Sequence, residues 1–103
     1  MDKPENDSAG RQSSIAVILA YLRSEFRAYD VSPFPEYRIR VRDGSAKVVH
    51  ELNFRIEFLD DHQDREVQRL KEWGLVSYMK QVGATPVWVS TTGLSTWARR
   101  PGR

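Results

Sequence analysis

Arginines and one tryptophan are the residues of this 103-residue chain whose spacing suggests chemistry, and that chemistry is binding. Arg38, Arg40 and Arg42 alternate with apolar residues, which places all three on one face of a strand. Trp88 lies between two valines and therefore points away from the apolar side of its own strand. Guanidinium groups contact phosphates and exposed indole rings stack on bases, so this combination is typical of a nucleic-acid-binding surface.

Basic side chains also accumulate toward the end of the chain. Residues 75–103 contain four basic side chains and no acidic one, although the whole chain has a formal net charge of only +2. The predicted nucleic-acid-binding residues are Arg38, Arg40, Arg42, Arg55, Lys80, Trp88, Arg99 and Arg100. The alternative is that the arginines only keep a sheet face and a chain end soluble, and that a helix or the segment carrying Trp97 covers Trp88.

The aromatic residues also favour a second hypothesis. Trp88, Tyr78 and Trp97 would form an apolar patch for a protein partner or a second copy of the chain, with the arginines as its polar rim. Salt dependence separates the two hypotheses, because phosphate binding weakens steeply with added salt and an apolar interface does not.

The two histidines do not form a recognisable catalytic site. Alternation puts His50 on the apolar side of its strand, where one ring nitrogen is commonly satisfied at the rim of the core. His62 lies near Asp60, Asp61 and Asp64, which could bind a hard cation but equally suit a helix N-terminus. The chain has no cysteine, which excludes thiol nucleophiles, thiolate metal sites and disulfides. We expect a non-enzymatic protein without a metal or a cofactor.

Apolar spacing predicts one long helix near the start of the chain. Residues 1–12 are polar and lack apolar periodicity, so they are predicted to form a disordered tail. From Ser13 or Ser14 onward, apolar residues recur every three or four positions, which predicts a helix over 14–29. Two prolines within the segment 30–35 are expected to end this helix.

A β-hairpin is predicted next, with alternating residues over 37–42 and 48–58. A two-residue turn at 44–45, in which glycine supplies a positive φ, would set the register of the two strands. That register places Arg38 opposite Glu51, a favourable cross-strand pair.

The second half of the chain predicts another helix and another hairpin. A helix over 61–73 has an acidic first turn and ends at Gly74, which we expect in the left-handed conformation that follows many helices. Strand-favouring residues follow over 75–80, and residues 87–90 alternate again. These two segments predict a hairpin, with a helix over 76–82 as the alternative.

Together these elements predict an α+β fold of two layers, with two helices packed on a mainly antiparallel sheet in the order α-β-β-α-β-β. A single domain over 13–94 is expected, followed by a frayed basic tail over 95–103. The longest apolar stretch, residues 15–22, is much shorter than the ~20 residues that span a bilayer. We therefore expect a cytoplasmic protein that does not bind membranes.

Residues from 67 onward resemble the closing half of a winged helix-turn-helix domain. The resemblance is carried by Leu70-Lys71-Glu72-Trp73-Gly74-Leu75-Val76, by Val82-Gly83-Ala84-Thr85 and by Val87-Trp88-Val89-Ser90-Thr91-Thr92-Gly93. It implies that the helix 61–73 enters the major groove and that residues 80–85 form a wing near phosphates, although a hairpin stands where such domains have a helix. The order helix, strand, strand, helix, strand is also that of type II KH-like RNA-binding domains, whose Gly-x-x-Gly clamp this chain lacks.

Overall fold

The chain forms four helices and five strands within residues 3–96, the part that this computed structural model describes, with side chains from residue 9 onward. In chain order they are α1 (Lys3–Glu25), β1 (Asp30–Phe34), β2 (Arg38–Arg42), β3 (Val48–Phe54), α2 (Ile56–Asp61), α3 (Glu66–Glu72), α4 (Leu75–Val82), β4 (Val87–Ser90) and β5 (Gly93–Ser95). The predicted α+β class is confirmed, but the predicted order of elements is only partly correct.

One mixed sheet contains all five described strands in the spatial order β1-β2-β3-β4-β5. Neighbouring strands are antiparallel except β3 and β4, which are parallel. Parallel neighbours need a long crossover, and here α2, α3 and α4 supply it.

Strand alternation gives the sheet one buried face and one partly exposed face. The buried apolar residues of the strands are Val31, Ile39, Val41, Leu52, Phe54, Val87 and Val89, and on the other face Asn53 is buried as well. Each helix contributes to the same core, with Ile18 of α1, Phe58 of α2, Leu70 of α3 and Leu75 of α4 all fully buried. Full burial of such a side chain contributes about 1.5–3 kcal/mol. The helices therefore pack against one face of the sheet, and within residues 3–96 no helix or strand covers the other, here called the open face.

Helix α1 begins at Lys3, so residues 3–12 are helical where the composition predicts a disordered tail. Tertiary contacts that periodicity does not reveal explain the difference. Arg11 donates from two nitrogens to the two carboxylate oxygens of Asp60 in α2, at 2.9 Å each. Ser14 donates from its hydroxyl to Glu66 in α3, and both side chains are buried. The predicted helix start at 13 or 14 is wrong, because the serine binds another helix instead of capping its own.

The segment predicted only to stop the first helix contains an additional strand, β1. It pairs with β2 from Asp30 opposite Arg42 to Phe34 opposite Arg38. Arg23 of α1 donates to the Val31 carbonyl from Nε at 3.1 Å and from a terminal nitrogen at 2.9 Å. β1 is an edge strand, where a proline such as Pro33 is tolerated.

The β2–β3 hairpin is confirmed, but its predicted register is wrong by two residues. Arg38 lies opposite Asn53, and Arg40 lies opposite Glu51. A shift of two keeps every side chain on its predicted face. The register also changes between Val41 and Arg42, where the strand has an irregularity.

The turn of this hairpin explains the shift. The Asp43 carboxylate accepts hydrogen bonds from the Ser45 amide and hydroxyl at 2.9 and 2.8 Å and from the Lys47 amide at 3.1 Å. The positive φ falls on Ala46, at 69°, and not on Gly44 as predicted. An Asp side chain that binds several loop amides favours a longer loop than the predicted two-residue turn.

Helical spacing overrides strand-favouring residue types after β3. The strand ends at Phe54, and the alternating residues predicted to continue it form α2, where the adjacent Phe58 and Leu59 are both fully buried. The predicted helix 61–73 is likewise wrong in extent, because α2 ends at Asp61 and α3 covers only Glu66–Glu72. Gly74 has the predicted left-handed conformation, with φ of 69°.

Residues 75–82 form α4, so the predicted strand over 75–80 is wrong and the alternative helix is correct. Leu75 and Met79, four positions apart, are both buried, and this spacing is that of a helix face. No strand leads from α3 into the turn at 82–85, so the resemblance to a winged domain does not extend to its wing. The strand predicted at 87–90 is confirmed as β4, but its partner is β3.

Within the described chain, no helix is both long enough and apolar enough to cross a bilayer.

Candidate nucleic-acid interface

Three rows of side chains cross the open face of the sheet, as the pairing registers define them. The first row consists of Phe34, Arg38, Asn53, Trp88 and Ser95, one from each strand in spatial order. The second row consists of Ser32, Arg40 and Glu51, and the third of Asp30, Arg42 and Val48. The open face therefore places three strand arginines between a phenylalanine on β1 and a tryptophan on β4.

Phe34 forms the aromatic end of this face on β1. The guanidinium carbons of Arg40 and Arg42 lie 4.4 and 5.0 Å from the centroid of its ring. Such cation–π contacts are worth about 0.5–1 kcal/mol at exposed positions. They hold two positive groups against one ring, so Phe34, Arg40 and Arg42 form one local cluster of an aromatic ring and two cations.

Trp88 is the aromatic residue at the other end. It points to the face opposite Val87 and Val89, as predicted, and its side chain is half-buried. The guanidinium carbon of Arg55, directly after β3, lies 5.6 Å from the centroid of the indole ring. The helices pack against the other face, so none of them covers this ring.

Carboxylates neutralise part of the charge. Arg40 Nε is buried 3.4 Å from Glu51 Oε1, without a well-formed hydrogen bond among the described residues. Glu51 also accepts a long hydrogen bond from the side-chain amide of Asn53, at 3.4 Å. Arg38 donates from Nε to the Pro35 carbonyl at 3.1 Å. The terminal nitrogens of Arg38 are not used in this bond and can contact a ligand.

The structure brings together five of the residues that the sequence singles out: Arg38, Arg40, Arg42, Arg55 and Trp88. Lys80 is exposed on α4, which packs on the opposite side of the sheet, so it does not join this group. Arg99 and Arg100 lie outside the described residues.

The proposed apolar patch is not assembled in the same way. Tyr78 belongs to α4 and is packed against the core on the helical side of the sheet. Trp88 lies on the open face, so the two rings are on opposite sides. Trp97 lies outside the described residues.

Two open depressions adjoin Trp88. The first depression encloses about 540 Å³ and is lined by Glu36, Arg38, Glu51, Asn53, Phe54, Pro86 and Trp88. The second depression encloses about 560 Å³ and is lined by Glu36, Tyr37, Phe54, Arg55, Ile56, Glu57 and Trp88. Glu36, Phe54 and Trp88 line both depressions, and each depression contains one arginine.

Sequence reasoning missed Phe34 and Asn53 as members of this surface. Phe34 is hidden between two prolines, which favour a loop interpretation over a strand. Asn53 alternates correctly with its neighbours and could have been assigned to the open face from its position alone.

Both histidines have partners within the protein. His50 lies on the buried face, where Nδ1 is 3.1 Å from the Gly83 carbonyl. His62 is buried, with Nδ1 3.2 Å from the Phe58 carbonyl and its ring stacked on Phe58. Among the residues for which coordinates are described, no group of three or more His, Asp or Glu side chains is arranged to hold a metal ion.

Comparison of the chain with protein-family models, with curated proteins and with solved structures finds no match. The chemistry of the open face is therefore the basis on which a function can be assigned.

Proposed function

We propose that the protein is a small non-catalytic nucleic-acid-binding protein, and that the open face of its sheet is the binding surface. One observation carries the proposal: Phe34 and Trp88 share this face with Arg38, Arg40 and Arg42, while the helices pack on the other side. Aromatic rings on an uncovered sheet stack on bases, and the intervening guanidinium groups attract the phosphates that link those bases.

The surface suits an unpaired strand better than a duplex. Bases in a duplex are stacked on one another, so their faces are not available to Phe34 or Trp88. An extended single strand exposes base faces and phosphates alternately, and can follow the first row of side chains from β1 to β4. Arg55, beside the Trp88 ring, would contact the next phosphate.

A binding titration at low salt tests the proposal. Fluorescence-labelled single-stranded RNA, single-stranded DNA and a duplex of the same sequence are each titrated with the protein. We expect both single strands to bind more tightly than the duplex, and tryptophan emission to be quenched as the complex forms. Absence of binding to every probe at tens of micromolar protein would reject the proposal.

Two variants locate the interaction. Trp88→Ala removes the stacking ring from the open face, and base stacking is worth about 1–3 kcal/mol, so we expect affinity to fall by about tenfold or more. Lys80→Gln removes a positive charge from the helical side and is the control, with affinity close to that of the wild type. Equal effects of the two substitutions would place binding somewhere other than the open face.

The same titration separates nucleic-acid binding from the alternative of a protein-interaction module. Self-association through an apolar surface would appear as a concentration-dependent sedimentation coefficient that changes little with salt. A monomer that binds single strands with a steep salt dependence supports the proposal and counts against that alternative.

A further inference from the structure

The turn between β1 and β2 places a carboxylate beside the stacking ring of the proposed interface. Glu36 is exposed and lines both of the depressions that adjoin Trp88. A carboxylate repels phosphates, so on a surface for nucleic acid Glu36 would contact a base and not the phosphate backbone. Carboxylate oxygens accept hydrogen bonds and donate none, which makes this group selective for a base edge that presents donors.

The backbone at Glu36 is unfavourable for the residue that occupies it. Glu36 and Tyr37 both have positive φ, at 64° and 63°, and neither is glycine. Asn or Gly is the usual choice at such consecutive positions in a hairpin turn. The turn is fixed by the hydrogen bond from the Phe54 amide to the Tyr37 carbonyl at 2.9 Å. This turn places Glu36 at the edge of both depressions.

The first depression is the better site for a base. Arg55 and Glu57 line only the second one, where the Arg55 guanidinium lies near the Trp88 ring. In the first, Trp88 is accompanied by Glu36, Arg38, Glu51 and Asn53. Glu51 already lies 3.4 Å from Arg40 Nε and accepts from the Asn53 amide, so Glu36 is the carboxylate left to bind a ligand. These groups offer a ring surface, an acceptor, a donor and an amide, the elements that recognise the edges of an unpaired base.

We propose that the first depression holds an unpaired guanine, stacked on Trp88 with its Watson–Crick edge toward Glu36. Guanine presents two adjacent donors on that edge, N1–H and the N2 amine, and both can bind one carboxylate. Adenine, cytosine and uracil each place an acceptor beside their donor, which a carboxylate repels. Arg38 lines the same depression, and guanidinium groups bind the O6 and N7 acceptors of guanine. This inference rests on the proposed function and assigns its base preference.

Short single-stranded RNA probes that differ at one central base test the inference. Uracil-rich probes with a central guanine, adenine, cytosine or inosine are titrated at one fixed low salt concentration. We expect guanine to be preferred over adenine and cytosine by about tenfold, the usual discrimination of a bidentate contact. Inosine lacks the N2 amine and should fall between guanine and adenine.

Two charge-matched variants assign the preference to one residue. Glu36→Gln keeps the size of the side chain but adds a donor, so the preference for guanine should disappear. Glu57→Gln removes the same charge from the second depression only and should retain the preference. Reduced repulsion should tighten binding of every probe to Glu57→Gln, whereas Glu36→Gln should gain affinity only for the probes without guanine.

The outcomes are distinguishable. Tight binding of all four probes with equal affinity overturns the guanine inference and leaves the proposed function standing. Loss of the preference in both variants also overturns it, because charge alone would then explain the result. Failure of every probe to bind at tens of micromolar protein overturns the inference together with the proposed function.

Discussion

At the scale of single residues, the turn at Glu36 and Tyr37 shows where the chain retains unfavourable local structure. A left-handed backbone costs a residue with a β-carbon about 1–2 kcal/mol, and Asn tolerates it better than most. Tyr37 packs against the core, so its ring offsets part of this cost. Glu36 is exposed, and the described structure shows no comparable compensation.

Relief of this strain gives a prediction about stability. Glu36→Asn should raise the free energy of unfolding by about 0.5–1 kcal/mol, because Asn adopts positive φ more readily. Glu36→Gln has the same backbone preference as glutamate and should leave stability unchanged. Chemical denaturation of the three proteins measures the difference. Equal stability of the Asn and Gln variants would show that the turn is not strained.

A second prediction concerns the buried polar pair between α1 and α3. Ser14 is 1% exposed and Glu66 is 3% exposed, and the serine hydroxyl donates to the carboxylate. Ser14→Ala leaves a buried carboxylate oxygen without this donor, which should lower the free energy of unfolding by about 1–3 kcal/mol. Urea denaturation measures the change.

Ser13→Ala is the matched control for that pair. Ser13 is adjacent in the same helix but exposed, and exposed helical substitutions usually change stability by less than about 0.5 kcal/mol. A loss of stability as large as that of Ser14→Ala would indicate a general effect on α1. Only a selective effect at Ser14 supports the buried contact.

At the scale of elements, two carboxylates join parts of the fold and make its stability depend on pH. The Arg11 guanidinium of α1 holds the pKa of Asp60 in α2 below its ordinary value. In the β2–β3 turn, the Ser45 hydroxyl and then the amides of Ser45 and Lys47 hold the pKa of Asp43 below its ordinary value. Both carboxylates therefore favour the folded state when ionised.

The sign of the pH dependence follows from these lowered pKa values. The stabilisation is fully present above the unfolded pKa of about 3.9, and it is lost as the pH falls through the lower folded-state pKa. We expect the melting temperature to decrease below about pH 4, and to decrease less in Asp60→Asn and Asp43→Asn. Thermal melts at successive pH values measure this. An acid branch with the same slope in both variants would exclude these two groups as its cause.

The strands and helices also show which parts of the fold the sequence predicts. Alternation predicted the hairpin and assigned Arg38, Arg40 and Arg42 to one polar face, and a register error of two residues did not change that face. It could not predict the register, because Asp43 stabilises a loop whose geometry depends on side-chain hydrogen bonds. At residues 75–82 the residue types favour a strand, but the apolar residues recur at helical spacing, and the segment is a helix.

The candidate site was predictable only in part, because its residues meet through contacts between strands that are distant in the sequence. The sequence assigns Trp88 and the strand arginines to polar faces of their own strands. Three helices separate β3 from β4 in the chain, and the two strands pair in parallel, so the common face of these residues depends on tertiary packing. Phe34 depends on β1, which pairs with β2 although its own sequence favours a loop. The candidate site therefore depends on strand pairing between distant parts of the chain, which local sequence patterns do not predict.

At the scale of the whole molecule, cations lie on both sides of the sheet, and on the open face Asp30 lies opposite Arg42 and Glu51 opposite Arg40. Arg38, Arg42 and Arg55 lie on or beside the open face, whereas Lys71 and Lys80 are on the helices that cover the other face. Replacing any one of these cations with glutamine lowers the net charge of the protein by one. If phosphates bind on one side only, the effect of a substitution on affinity should depend on the side of the sheet on which the cation lies.

The salt dependence of affinity tests on which side of the sheet phosphates bind. Each phosphate contact on a single strand contributes about 0.7 to the slope of the logarithm of affinity against the logarithm of salt concentration. Arg42→Gln and Arg55→Gln should each reduce the slope by roughly that amount, because each removes one cation beside the stacking rings. Lys71→Gln and Lys80→Gln carry the same change of charge on the helical side and should leave the slope unchanged. A slope that falls equally in all four variants would mean that the strand binds through the net charge of the protein and not through the open face.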